Sequence, residues 1–337
     1  MTSNPLQLKE AKVVSRPDIL FALARAEGMA PWLVGSSDAH VHAFDPLAEK
    51  AESRAFDDNH HGYITGMALN ADGQLITGAY DGRLVWWDVE QGKATREQKA
   101  HDRWIRDVTV SPDGATLVSV ADDMVCRVWD ARNGELRHEL KGHAVRTPTH
   151  FPSMLFAAAV SPDGQWLATA DKLGKAIIWN LETGQRQAEV EAPLMYTWDA
   201  RERIHSIGGV RALAFSPDSK LLALGGINQI GNIDHLGALA RVEVFEWQKQ
   251  ERTHEFKGDT SKGIVERLLF GPDGQWLCAL GGDNGGFIHF LDLRETKTLK
   301  QSNAPMHVHD AMFDANAEQL FAVGHQKMVL WDLRDEE

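Results

Sequence analysis

Along this chain apolar and polar residues alternate in short runs, and each run is closed by a turn signal. The clearest stretch is residues 104–130: WIRDVTV, then SPDG, then ATLVSV, then ADD, then MVCRVWD. Alternation at period two sends one face of a run to a core, so these runs predict half-buried strands. SPDG predicts a type I turn. Pro112 presets φ, Asp113 can bond the local backbone, and Gly114 accepts a positive φ. The stretch therefore predicts one antiparallel sheet of about four strands, and the unit recurs. Turn signals stand at residues 70–73 (NADG), 111–114 and 161–164 (SPDG), 216–219 (SPDS) and 271–274 (GPDG), with a weaker DANA at 314–317.

Each unit ends in an aromatic or leucine beside a polar residue: Phe44-Asp45, Trp87-Asp88, Trp129-Asp130, Trp179-Asn180, Trp247-Gln248, Leu291-Asp292 and Trp331-Asp332. The intervals are 43, 42, 50, 68, 44 and 40 residues. A lone sheet of this size exposes two apolar faces, so the copies must pack on one another. A period near 42 is what four strands per blade of a propeller require.

On these residues the chain resembles the WD-repeat β-propeller family over nearly its whole length. The resemblance implies that His60, Thr77, Asp81 and Trp87, and likewise His101, Ser119, Asp123 and Trp129, form buried hydrogen-bonded tetrads. The chemistry is sound on its own terms, since a buried indole, hydroxyl, imidazole and carboxylate must satisfy one another. The other units depart from the pattern: Val34 replaces the hydroxyl, Leu173 and His325 stand at aspartate positions, and Leu291 replaces tryptophan. Two complete tetrads are therefore expected.

Seven pairs predict seven blades in one domain, at approximately 16–57, 58–99, 100–141, 142–191, 192–257, 258–302 and 303–337. Trp331-Asp332 leaves no room for a last outer strand. The resemblance implies that residues 6–15 supply it and close the ring, which removes an open seam. Oversized connections fall at residues 144–154, 191–209 and 226–240. Strands alternate in direction, so all three emerge on one face, the top, on blades four and five. Long loops on a rigid scaffold are where binding concentrates. Tyr196, Trp198, Arg201, Arg203, His205, Ile230, Asp234 and His235 are the candidate partner contacts there, because Tyr, Trp and Arg anchor interfaces. The alternative is that these loops fold back and pack on themselves. Tyr63, Tyr80, Trp104, Asp122 and His307 are further top-facing candidates by repeat position.

Composition narrows the partners. A formal net charge of −13, from 35 basic and 48 acidic residues, disfavours nucleic acid and anionic membrane. The two cysteines, Cys126 and Cys278, fall on separate strand-like runs and read as buried thiols of a reducing, cytoplasmic compartment. The first residues lack the pattern of a signal peptide, and no apolar run is long enough to span a bilayer. Asp38-Ala39-His40-Val41-His42 looks like the opening of a metal-dependent amidohydrolase, and residues 306–310 repeat its paired histidines, His307 and His309. Such pairs place two imidazoles on one strand face, but here they fall at ordinary strand positions. Fingerprints of phosphate or dinucleotide binding are missing, and GGDNGG at 281–286 precedes no helix. The expectation is a non-catalytic scaffold without cofactor or metal that binds a protein or peptide on its top face. A monomer is favoured, with oligomeric state left open. The runner-up is a metal-dependent hydrolase using the histidines of blades one and seven.

Overall fold

The computed structural model describes residues 4–25, 31–45, 48, 52–201, 204–231 and 237–334. The chain is an all-β propeller of antiparallel sheets. Five sheets have four strands each, within residues 64–99, 105–140, 155–191, 212–256 and 264–304, and are called the second to the sixth sheet below. A two-stranded hairpin lies within residues 196–208, and the closing sheet has six strands in the order Val308–Phe313, Gln319–Asp332, Lys9–Ala24, Trp32–Ser36, Val41–Phe44 and Ser53–Ala55.

The blade count is thus six, not the expected seven. The units placed at the two ends of the chain form one continuous sheet, because Lys9–Ala24 serves both. Its first part pairs with Gln319–Asp332, from Lys9 opposite Asp332 to Ile19 opposite His325. Its last part pairs with Trp32–Ser36, from Leu20 opposite Ser36 to Ala24 opposite Leu33. The strand expected at residues 6–15 therefore starts at Lys9 and runs on. Pro17, which has no N–H to donate, lies where the register shifts between Ser15 and Ile19. Arg16 and Asp18 hold that bend at 3.0 Å.

One strand of each unit lines the axis: Lys9–Ala24, Ile64–Leu69, Ile105–Val110, Leu155–Val160, Ala212–Phe215, Ile264–Phe270 and Val308–Phe313. Each packs on the next, and the last returns to the first. The closing sheet supplies two of them. Apolar clusters fill the space between neighbouring sheets. Ile76, Leu84 and Trp86 of the second sheet meet Ile105, Leu117 and Trp129 of the third. The two halves of the closing sheet fold onto each other through Trp32 and Phe321, whose ring centroids are 3.6 Å apart. Each large apolar side chain fully buried in this way contributes about 1.5–3 kcal/mol.

Three tetrads pin the early sheets, one more than expected. In the second sheet Trp87 donates to Thr77 Oγ1 (2.8 Å), His60 Nε2 lies 2.6 Å from the same oxygen, and His60 Nδ1 is 3.1 Å from Asp81. In the third, Trp129, Ser119, His101 and Asp123 repeat this at 3.0, 2.8 and 3.0 Å. In the fourth, Trp179, Thr169, His143 and Asp171 do so at 2.9, 2.9 and 2.8 Å. Leu173 does not stand in for the aspartate. Asp171 takes the role from two residues after its hydroxyl partner, where Asp81 and Asp123 follow theirs by four.

The fifth sheet corrects a second register. Phe245, opposite Leu222, occupies the place that Trp87 takes opposite Leu75. Trp247 lies past the strand end, buried, donating its indole N–H to the Ser219 carbonyl at 2.8 Å. This sheet is held instead by buried charges. Arg241 is 1% exposed and Glu243 fully buried, 2.6 Å apart. Arg241 also reaches Glu255 and Asn228, and Arg252 donates to Glu243 at 2.8 Å. Cys126 and Cys278 are buried free thiols. Among the described residues, no helix is long and apolar enough to cross a membrane.

Candidate functional site

The connections between sheets and the turns between second and third strands open on one face. Three sequence candidates meet there in a single strip. Tyr63 stacks on Phe21, with centroids 5.5 Å apart, and lies 5.4 Å from Tyr80. Tyr80 stacks flat on Trp104 at 4.3 Å and 3°. Tyr63 and Trp104 remain 44% and 48% exposed, although both are large and apolar.

Arg106, which repeat position alone did not single out, holds the strip in place. It donates to Asp122 at 2.7 Å and to the Tyr80 hydroxyl at 3.0 Å. Its guanidinium lies 5.3 and 5.2 Å from the Tyr80 and Trp104 rings. Burial presses its pKa down, but Asp122 outweighs this and keeps it raised. Beside the strip runs a groove of about 820 Å³, lined by Arg103, Trp104, Val145, Arg146, Pro152 and Met154 among others. Val145 is 66% exposed.

Below the rim lies a central cavity of about 460 Å³ walled by the axial strands. It is lined with charges set inside apolar runs, and that pattern is the signal by which sequence could have found them. Arg211 sits 3.6 Å over the Phe156 ring, and its Nε is buried with no hydrogen-bond partner. Burial lowers its pKa, and also that of the buried Lys172, whose ammonium the Arg211 charge disfavours further. Arg267 and Asp310 pair at 3.1 Å, while Asp310 accepts from the Leu23 N–H at 2.8 Å. Asp107 accepts from the Ala158 N–H at 3.0 Å, and burial pushes its carboxyl up to about 6.

The long connections on the fourth and fifth sheets are more ordered than loops. Pro193–Met195 forms a 3-10 turn, and Tyr196–Asp199 pairs with His205–Gly208 as a hairpin. Met195 is fully buried. Ile230 is 6% exposed and packs with Ile227 and Ile264, and its N–H donates to Thr197 at 2.9 Å. Trp198 is half-buried against Phe151 at 5.4 Å, and His205 meets the same ring at 5.8 Å. Tyr196 is half-buried, with a buried hydroxyl lacking a partner. Arg201 is exposed, as is Ile204 at 60%. Arg203, Asp234 and His235 lie outside the described residues.

The paired histidines fall into two separate groups. His42 Nε2 donates to the Asp38 carboxylate at 2.8 Å, His40 Nδ1 lies 3.0 Å from the Asp38 carbonyl, and Asp18 accepts from Ser36. His307 and His309 instead gather with Glu266 on the cavity wall.

Comparison with known proteins fits this architecture. The family described as WD domain, G-beta repeat matches residues 53–88, 92–130 and 134–180. Apoptotic protease-activating factor 1 of Rattus norvegicus is 29% identical over 52% of this chain and 13% of its own length. Nuclear distribution protein PAC1 of Arthroderma otae is 31% identical over 56% of this chain and 42% of its own. WD repeat and SOCS box-containing protein 1 of Homo sapiens is 33% identical over 32% and 24%. The chain spans less than half the length of these curated relatives. With the matched repeats and the tetrads inside them, WD repeats are found within residues 53–180, and the ring of sheets around them is a β-propeller.

Proposed function

We propose that the protein is a non-catalytic scaffold that docks a protein or peptide segment on its upper face. The observation that carries this reading is the strip of Tyr63, Tyr80 and Trp104, stacked, braced by Arg106 and left open to water. Rigid aromatics offer a large contact area at little entropic cost, and they anchor interfaces. The occupant that fits is a segment with an apolar side chain for the groove and an acidic group beside it. Arg103 and Arg146 are exposed along that groove, and Lys172 and Arg211 stand behind it. The hairpin carrying Tyr196, Trp198, Arg201 and His205 forms a second wall of the same site, with Ile230 as its internal prop. Arg203, Asp234 and His235 remain candidates from the sequence alone. The separation of the histidine pairs weighs against the hydrolase alternative, which needs one shared centre. Buried, unpaired thiols favour a reducing, cytoplasmic setting.

The test is a pull-down with purified wild type and a Tyr63→Ala/Trp104→Ala variant as baits. Both sites are exposed, so the variant should melt within about 1 kcal/mol of wild type. Its specific partner should be recovered at least about tenfold less well. Identical recovery from both baits would remove the strip from the interface and this reading with it.

A further inference from the structure

Among the described residues, two groups of side chains have the composition of a metal site: Asp18, Asp38 and His42, and Glu266, His307 and His309. Their hydrogen bonding differs in a way that decides between them. In the first group both carboxylates and the ring nitrogen that faces them are already spent. Asp18 takes Arg16 and Ser36, and Asp38 takes the His40 N–H and His42 Nε2. Its one orphan, His42 Nδ1, is the ring nitrogen not bonded to those carboxylates. In the second group two nitrogens are bare. Nε2 of His307 and Nε2 of His309 are both buried without a hydrogen-bond partner. An orphaned buried polar atom costs about 1–3 kcal/mol, and this structure holds two of them side by side.

Their orientation is set from behind. His307 is 8% exposed, and its Nδ1 lies 3.1 Å from the Asp283 carbonyl. A carbonyl only accepts, so Nδ1 carries a proton and Nε2 is the nitrogen left for another partner. It faces Glu266 Oε1 at 3.7 Å, too long for a hydrogen bond. The His309 ring lies parallel to that of His307, with centroids 4.6 Å apart and a tilt of 24°. Phe21 backs it at 4.8 Å. A backbone carbonyl locking the far nitrogen of an imidazole is the arrangement that metal-ligating histidines use.

We propose that Glu266, His307 and His309 form a binding site for a divalent transition metal of the zinc class, at the upper wall of the central cavity. Two imidazoles and one carboxylate suit Zn²⁺ and its neighbours and not Ca²⁺ or Mg²⁺, which prefer all-oxygen shells. The three ligand atoms lie within 4.8 Å of one another, so an ion bound at about 2.1 Å draws each of them in by less than about 1 Å. The exposed His325 lies beside them, its ring 5.0 Å from His307 and 4.9 Å from His309, and would become a fourth ligand on turning inward, since it stands outside the 4.8 Å cluster. Its own N–H is anchored on the His307 carbonyl at 3.0 Å. The ligands come from the sixth sheet and from the closing sheet, so a bound ion ties two neighbouring sheets together across the ring. This site is independent of the proposed docking strip and stands if that reading fails.

The test uses the full chain, stripped with a chelator and titrated with Zn²⁺, then with Co²⁺ as a spectroscopic probe. Wild type should take up one equivalent of Zn²⁺, give the visible absorption of Co²⁺ with nitrogen ligands, and melt at a higher temperature with metal. Glu266→Gln and His309→Gln should each weaken uptake at least about tenfold. His40→Gln/His42→Gln should leave it unchanged. His325→Ala, an exposed change that spares the fold, should weaken uptake or alter the Co²⁺ spectrum. No stoichiometric uptake by wild type, or uptake lost in His40→Gln/His42→Gln and kept in Glu266→Gln and His309→Gln, would overturn the site. Mg²⁺ binding in place of Zn²⁺ would overturn its assigned class.

Discussion

The second, third and fourth sheets and the fifth sheet have the same strands in the same order, yet different interactions hold them. The first three each carry a tetrad in which an indole, a hydroxyl, an imidazole and one carboxylate satisfy one another in a chain. The fifth has none of it, and instead buries Arg241 and Glu243 with Arg252, Glu255 and Asn228 around them. The repeat matches to the family stop at residue 180, where this change occurs. A propeller blade therefore demands a filled interior and complete hydrogen bonding, but not one particular set of side chains to provide them.

The largest break in that comparison should come from Glu243→Gln. It leaves the Arg241 guanidinium buried with a lost carboxylate, a change that costs about 3–5 kcal/mol. Replacing Arg241 and Glu243 together by Met and Leu should recover most of this, because the desolvation of both charges disappears with them. Chemical denaturation of the single and double variants measures the difference. A single variant as stable as wild type would mean that the network is not dry.

Next comes Asp171→Ala, which strips a fully buried carboxylate from His143. The expected loss is about 1–3 kcal/mol, and Asp81→Ala and Asp123→Ala should fall in the same range. A negligible effect at Asp171 beside clear losses at the other two would show that the third tetrad is only geometric.

The smallest effect is a pH dependence. In the sixth sheet His289 is 4% exposed, lies 2.8 Å from Ser261, and is driven by burial down to about 4. The unfolded chain protonates it near the ordinary imidazole value of 6.5, so between the two values the unfolded state holds more protons. Its contribution to stability is therefore full above about 6.5 and falls away as pH drops toward 4, by at most roughly 3 kcal/mol. The tetrad carboxylates act lower. Burial raises Asp81 and Asp123, but their histidines and backbone donors outweigh it and hold both below the usual range. Their stabilisation is lost only under stronger acid. His289→Gln should flatten the stability profile between pH 6.5 and 4 and leave the stronger-acid limb in place. An unchanged slope in that window would assign it to other groups.

Strand alternation, the turn signals and two tetrads were legible in the sequence, because each is set by residues close along the chain. What escaped was anything set by space. Asp171 replaces Leu173 because a shorter offset reaches the same imidazole, and counting positions cannot see that. Trp247 drew the repeat frame two residues past the strand position that Phe245 holds. The junction of the first and last units turns on a strand with two sets of partners at opposite ends of the chain. Glu266 and His307 meet from different sheets, and no spacing joins them.

The strand Lys9–Ala24 has a consequence for synthesis. Its partner Gln319–Asp332 is made about 300 residues later. At typical elongation rates of roughly 5–20 residues per second, the stretch that awaits it spends some tens of seconds with its backbone donors unmatched. The closing sheet cannot form until that partner emerges. During that interval the waiting strand is an exposed liability to aggregation and a natural point for a chaperone to take hold.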